Sequence, residues 1–556
     1  MARVLRSPGE VGSAAVSPPS PSSPAVGEQG AQPHRPGHLK AWLWWGLLTA
    51  VVGGILLSSI YVRHGGTLHA ETDMYLVAHL SERPLLSKII CPHSADAKFY
   101  QCRQLSHVLE NLDAHFVYWS YLAGCPHFFS LVTFACLLGI TCLHWHFGVS
   151  RLRMDHVTLL LLVALFWTNP NIYLAGMCLR DAKIAAAFFV YAGMCVFLSR
   201  MLRVEGEGGV GIGEPDVPKR TVLLYASLAL AACFSDPQGV FMVLLLSGGV
   251  LVWSAVLKSR EALLASLAGG GAAGVHTVFS LWLAPLLVRK WSGFEMQSAF
   301  DPSDKASVHS TWLESLKAGA SLSCDTMSFG LGNMPAWVFG PLLLGVLAAT
   351  FTVRTETATR WTSGKLKHPG ILIGMTVVTL VLANVGICSL MVARHPPVAW
   401  EDIRRGGYYG LPAVVLWLMV FTVLLRLLQD RFRLSRVVVW AVLAVLLAFN
   451  VESLPTHYRI NTTGHMQGFI EATPSLLSEL RRLRKEPAGK PTAAKFDTQK
   501  NCLLGDFSNM LRNPLNDIST HGSVDVEAYL KSSRYLNFLR SKKGLDFYQP
   551  GQLKTQ

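Results

Sequence analysis

Two carboxylates one residue apart, Glu71 and Asp73, follow an apolar run at 41–62. Acids at the mouth of a membrane span are costly to keep there unless they bind something. A carboxylate so placed can act as a general base, drawing a proton from an attacking hydroxyl. The pair can also hold a divalent cation such as Mg or Mn, which prefers oxygen ligands. Further charged or polar residues recur along the chain: Arg103, Glu110 and Asp113; Arg180, Asp181 and Lys183; Asp236; then Arg394, His395, Arg404, Arg405 and Tyr408. Arginines at a membrane surface suit a phosphate or diphosphate, which a guanidinium grips through two parallel hydrogen bonds. An acidic base, a basic phosphate grip and an opening to lipid together fit transfer of a group from a lipid-phosphate carrier. The leaving lipid phosphate would be stabilised by Arg or by a metal ion.

The elements that must position these residues are long apolar helices. The chain has 556 residues, of which 51% are hydrophobic and 15% charged. Soluble proteins carry about 25% charged residues. Apolar runs near 20 residues repeat along the chain and do not alternate, which predicts a polytopic all-α membrane protein. We read about eleven spans, between ten and twelve. They fall near 41–62, 119–146, 157–176, 183–202, 221–235, 238–257, 262–288, 335–353, 371–393, 408–428 and 434–454. The pair around Asp236-Pro237 is short for a bilayer. Residues 1–40 are rich in Pro, Ser, Gly and Ala, the composition of a disordered cytoplasmic tail. The membrane domain is 41–455, with long outer loops at 63–118 and 289–334. A polar segment at 456–556 follows on the periplasmic or lumenal side.

Basic residues set the orientation. Arg151, Arg153, Arg200, Arg203, Lys258, Arg260, Arg354, Arg431 and Arg433 all fall in loops that are cytoplasmic if the N-terminus is inside, as the positive-inside rule requires. On this topology Glu71, Asp73, Arg103, Glu110, Asp113, Arg180, Asp181, Lys183, Asp236, Arg394, Arg405 and Tyr408 all lie toward the outer face. Gln104 to Phe116 reads as an amphipathic helix at the membrane surface, with Leu105, Val108, Leu109 and Leu112 on its apolar side.

Plainer readings stand beside these. Glu71 and Asp73 can be solvated loop residues. Arg103, Glu110 and Asp113 can be the wet face of a surface helix. Asp181 suits a helix start, and Asp236 before Pro237 is an ordinary turn pair. The arginines can bind lipid headgroups. His144-Trp145-His146 reads as interfacial anchoring, and tryptophans at span ends fit an aromatic belt. Gly269-Gly270-Gly271-Ala272-Ala273-Gly274 lies inside a span, where small residues allow close helix packing. The net charge of +14 lies largely in loops between spans, and no basic, aromatic-interleaved patch points to nucleic acid. The eleven cysteines form no disulfide framework or zinc spacing, though Cys91 and Cys102 could pair.

Glu71-Thr72-Asp73, directly after the first span, resembles the acidic motif of the GT-C superfamily of membrane glycosyltransferases. Cys102-Arg103-Gln104-Leu105-Ser106, followed by Glu110 and Asp113, is similar to the loop-helix pattern of its bacterial members. Arg405-Gly406-Gly407-Tyr408-Tyr409-Gly410-Leu411-Pro412 resembles their late motif, with the Arg-Tyr pair split by two glycines. The resemblance covers about residues 41–455, mostly as architecture. It implies a polyprenyl-phosphate-linked sugar donor, a glycan, lipid or protein acceptor, and Asp73 as base with Glu71 its neighbour. It also implies a bacterial inner membrane; an endoplasmic reticulum location would put the same face in the lumen. A transporter or flippase, a polymerase or ligase of lipid-linked glycans, and a non-catalytic scaffold are the competing classes. Few charges fall in mid-span and no repeat is evident, which argues against a transporter.

Overall fold

The computed structural model describes residues 37–64, 85–90, 102–122, 130–169, 171–172, 182–201, 217–292, 311–327, 369–393, 410–432, 435–452 and 454. The chain divides into two units, Met1–Leu47 and Leu48–Gln556. The described part of the first is the opening of helix α1 (Gly37–His64), where Trp42 and Leu43 are exposed.

The second unit is helical throughout its described residues. After α1 come α2 (Leu85–Ile90), α3 (Gln104–Leu122), α4 (Leu131–Ser150), α5 (His156–Thr168) and α6 (Ala182–Met201). Then follow α7 (Lys219–Ser235), α8 (Pro237–Leu257), α9 (Arg260–Val278), a π-helical turn (Phe279–Leu283) and α10 (Ala284–Ser292). Helices α11 (Trp312–Met327), α12 (Pro369–Ala393), α13 (Leu411–Phe432) and α14 (436–452) follow among the described residues. Five stretches among the described residues are long and apolar enough to cross a membrane: Leu131–Ser150, Lys183–Met201, Pro237–Leu257, Arg260–Lys290 and Gly374–Ala393. The expected span 335–353 lies outside the described residues.

Two expected spans have different ends. The run 119–146 is not one helix. Ser130 has extended backbone and its hydroxyl accepts the Thr133 N–H at 2.8 Å, so α4 starts at Leu131 and continues to Ser150. Within the run 157–176, α5 ends at Thr168, because Asn169 leaves helical geometry and its N–H bonds back to the Phe166 carbonyl; Asn171 and Ile172 are again helical. The acidic turn holds where it was expected: Asp236 ends α7 and caps α8, with Oδ1 accepting the Gln238 N–H at 2.8 Å and Pro237 in the first turn.

The helices succeed one another antiparallel around a packed interior. Trp145 stacks on His156 across the α4–α5 turn, while Phe134 stacks on Trp167 at the far ends of the same helices. Helix α6 runs parallel to α4, with Phe188 against Gly139 and Tyr191 against His144. Small residues permit this approach. A methyl group at Gly239 would collide with the Ala232 carbonyl and press on Ala186, so α6, α7 and α8 meet where Gly239 has no side chain. Gly269 against Ser247 and Gly249 against Thr379 do the same for α8–α9 and α8–α12. Of the glycine run in α9, Gly269 takes the expected packing role, whereas Gly270, Gly271 and Gly274 face open space.

Histidine and tryptophan placement departs from the expected interfacial pattern. His144 is fully buried; its Nδ1 lies 2.6 Å from the Tyr191 hydroxyl and its Nε2 3.4 Å from Thr422 Oγ1. It ties α4, α6 and α13 together, and only His146 of that triplet is exposed. Trp145, Trp167, Trp253 and Trp417 are core residues, whereas Trp42, Trp119, Trp282 and Trp312 are exposed. An indole N–H must find a partner once buried, and Trp167 and Trp253 find Thr141 and Thr379. On α8 to α10, Leu251, Val252, Leu267, Leu281, Trp282 and Leu286 face outward. An apolar surface of this kind suits hydrocarbon rather than water.

Candidate site at one end of the helix bundle

Contacts between distant residues define two ends of the bundle. At one end Arg200 pairs with Glu261, which also accepts the Tyr225 hydroxyl at 2.8 Å, and Trp440 donates to Asp155 at 3.0 Å. At the other end lie the start of α4, the ends of α5, α7 and α12, and the starts of α6, α8 and α13. Asn450 of α14 donates to the Leu165 carbonyl and Thr168 there, each at 3.2 Å. Asn169 donates to the Thr326 carbonyl at 3.3 Å, and Gly410 packs against Thr326 and Asn171. Gln238 of α8 donates to the sulfur of Met391 at the end of α12.

The second end carries the charged residues singled out in the sequence. Lys183, one turn before the Ala186 that meets Gly239, is 5% exposed, and Asp236 is 3% exposed. Helix α3 packs on α2, α4, α6 and α7. Its burial is inverted relative to a surface helix. Val108 and Leu112 of the expected apolar face are exposed, while Ser106, His107, Glu110, Asn111 and Asp113 are buried. The i, i+3, i+4 spacing that puts these polar residues on one side of a helix turns that side inward.

Within α3, Ser106 Oγ–H donates to Glu110 Oε1 at 2.8 Å, and His107 Nδ1 lies 3.3 Å from Glu110 Oε2. With Glu110 ionised the carboxylate only accepts, and Nδ1 then carries the proton. Glu110 is thus held at both oxygens from one helical turn. Asp113 is used differently. Its Oδ1 accepts the Val132 N–H at 3.0 Å and its Oδ2 the Ser130 hydroxyl, so it secures the start of α4. Asp236 is likewise engaged as a helix cap.

Arg103 opens α3. The residue before it, Cys102, has a left-handed backbone with φ of 50°, a conformation costing about 1–3 kcal/mol without glycine. Cys102 carries a free thiol, so no Cys91–Cys102 bridge is formed. Burial pushes that thiol up to about 11, against the pull of its hydrogen bond with Ser280. Cys136, Cys142, Cys195, Cys233, Cys324 and Cys388 are free as well.

Glu71, Asp73, Arg180, Asp181, Arg394, Arg405 and Tyr408 lie outside the described residues. The described positions next in sequence to Arg180 and Asp181, to Arg394, and to Arg405 and Tyr408, namely Ala182, Ala393 and Gly410, sit at the polar end. Among the described residues no group of three His, Cys, Asp or Glu side chains could hold a metal ion. Sequence reasoning found Glu110, Asp113, Lys183 and Asp236 but passed over Ser106, His107 and Asn111. The helical spacing of these residues with Glu110 was the available signal. No protein-family model, curated protein or solved structure matches this chain.

Proposed function

We propose that this chain is a membrane glycosyltransferase of the GT-C type. It moves a sugar from a polyprenyl-phosphate donor to a glycan, lipid or protein acceptor at the polar end of the bundle, on the periplasmic or lumenal side. The observation that supports this reading is the inverted burial of α3, with Glu110 wholly buried and held by Ser106 and His107. A helix offering only a wet surface face would leave Ser106, His107, Glu110 and Asn111 in water, and here they are buried. Ionisable groups kept inside an apolar bundle mark substrate sites. In this reading Asp73 is the general base and Glu71 its neighbour and cation ligand, with Mg or Mn the fitting ion. Arg103, Arg180, Lys183, Arg394 and Arg405 hold the lipid phosphate, with Tyr408 beside them.

A transporter of a lipid-linked substrate is the competing reading, favoured by one observation. His144 is an ionisable group buried at mid-helix between Tyr191 and Thr422, and such groups often line translocation paths.

Two substitutions separate the readings. Glu110→Gln keeps an acceptor for Ser106, so the protein folds, but it removes the charge; transfer falls by about 10- to 100-fold. Lys183→Met raises KM for the donor by about 10-fold, the effect of one lost charge-assisted hydrogen bond. Both are read with purified protein in liposomes and a labelled polyprenyl-phosphate sugar. Unchanged kinetics in both variants would remove α3 and α6 from the site. Loss of donor movement between leaflets, without any cleavage in the parent protein, would favour the transporter.

A further inference from the structure

The π-helical turn that follows α9 sits where the chain enters α3. His276 Nε2 lies 2.9 Å from the Cys102 carbonyl oxygen, which only accepts, so the proton is on Nε2. His276 Nδ1 is 3.4 Å from Ser280 Oγ, inside the widened turn, and Ser280 also bonds the Cys102 sulfur. Phe234 packs its edge against the rings of both His276 and Phe279, at 4.9 and 5.1 Å between centroids. Cys102 itself is packed with Ile90, Ala284 and Val288. The residue with the left-handed backbone is therefore gripped at its carbonyl, its sulfur and its apolar surroundings. Cys102 lies 174 residues away in sequence from the histidine. π-turns within α-helices occur frequently at functional sites, because the extra residue re-aims side chains. Here it brings Ser280 within reach of both His276 and Cys102. Two residues beyond Cys102, α3 begins, and with it the turn that carries Ser106, His107 and Glu110.

We infer that His276 is a positioning residue: through the Cys102 carbonyl it fixes where α3 starts and hence where Glu110 and His107 stand at the polar end. This role rests on the proposed transferase reading for its effect on turnover, but its effect on Cys102 is independent of that reading. The test uses full-length protein in membranes. A maleimide is added, and modification of Cys102 is read by peptide mass spectrometry in the parent, His276→Ala, His276→Gln and Ser280→Ala. Glutamine keeps an N–H donor at similar reach. Cys102 stays protected in the parent and in His276→Gln. It reacts about 10-fold faster in His276→Ala, the effect of one lost buried hydrogen bond on local opening. Ser280→Ala, which spares the carbonyl bond, gives a smaller rise. In parallel, kcat for transfer falls about 10-fold in His276→Ala with KM for the donor unchanged, and His276→Gln restores it. Equal protection of Cys102 in His276→Ala, or wild-type kcat despite faster labelling, overturns the inference. A parent protein that transfers nothing overturns the transferase reading instead, and the labelling alone then decides whether His276 holds Cys102.

Discussion

Asp73→Asn is expected to cut sugar transfer by about 100- to 10,000-fold, the range for removing a positioned general base, while insertion and folding stay unchanged. Asparagine has the size and shape of aspartate but cannot take a proton at neutral pH. The acceptor hydroxyl then attacks without assistance, so the loss falls on kcat, with little change in KM for the donor. Glu71→Gln should behave differently. If the pair holds a cation, removing one oxygen charge weakens binding of Mg or Mn, so activity returns as the ion concentration is raised. A variant pair that keeps full turnover would remove Glu71-x-Asp73 from the chemistry. Size-exclusion behaviour and proteolysis patterns of the purified variants show that the loss is chemical and not structural.

Asp113→Ala is expected to destabilise the protein by about 2–4 kcal/mol, because two buried donors lose their acceptor at once. Val132 N–H and the Ser130 hydroxyl both end on this carboxylate, and Ser130 in turn caps α4 through Thr133. The change also exposes α4 to fraying at its first turn. Unfolding in detergent, followed by circular dichroism, measures it. Glu110→Gln makes the contrast, since its partners lie within the same helix and glutamine still accepts from Ser106. On the proposed reading, two acids three residues apart on α3 carry different roles, Asp113 as a scaffold and Glu110 as a site group. Unaltered stability with lost transfer in Asp113→Ala would reverse that division.

Much of the helical frame was legible because it is written in local pattern. The spans expected at 183–202 and 371–393 match α6 and α12 to within about two residues, and the Asp236-Pro237 turn announced itself by cap chemistry. The start of α4 was not legible, because the acid that secures it sits 17 residues upstream of Ser130, on another helix. Periodicity placed Leu105, Val108, Leu109 and Leu112 on one side of α3. It could not say which side faces in, since an apolar surrounding reverses the rule that holds in water. The same reversal put His144 and Trp145 into the interior. Asn169, which bridges α5 to α11, and His276, which reaches Cys102, carry no local signal, because their partners are 157 and 174 residues away. Of the proposed site, Glu110 and Lys183 were readable as polar residues in apolar company, as was the capping Asp236 beside them. Ser106 and His107 were readable only as members of the same helical face.

The most direct test is transfer by the parent protein itself. Purified chain in liposomes is given a polyprenyl-phosphate donor with the label on the sugar, together with mixed candidate acceptors and Mg or Mn. The proposed function predicts time-dependent appearance of free polyprenyl phosphate and of labelled acceptor, lost when Asp73 and Glu71 are both substituted. Donor that stays intact, while crossing from one leaflet to the other, would contradict it.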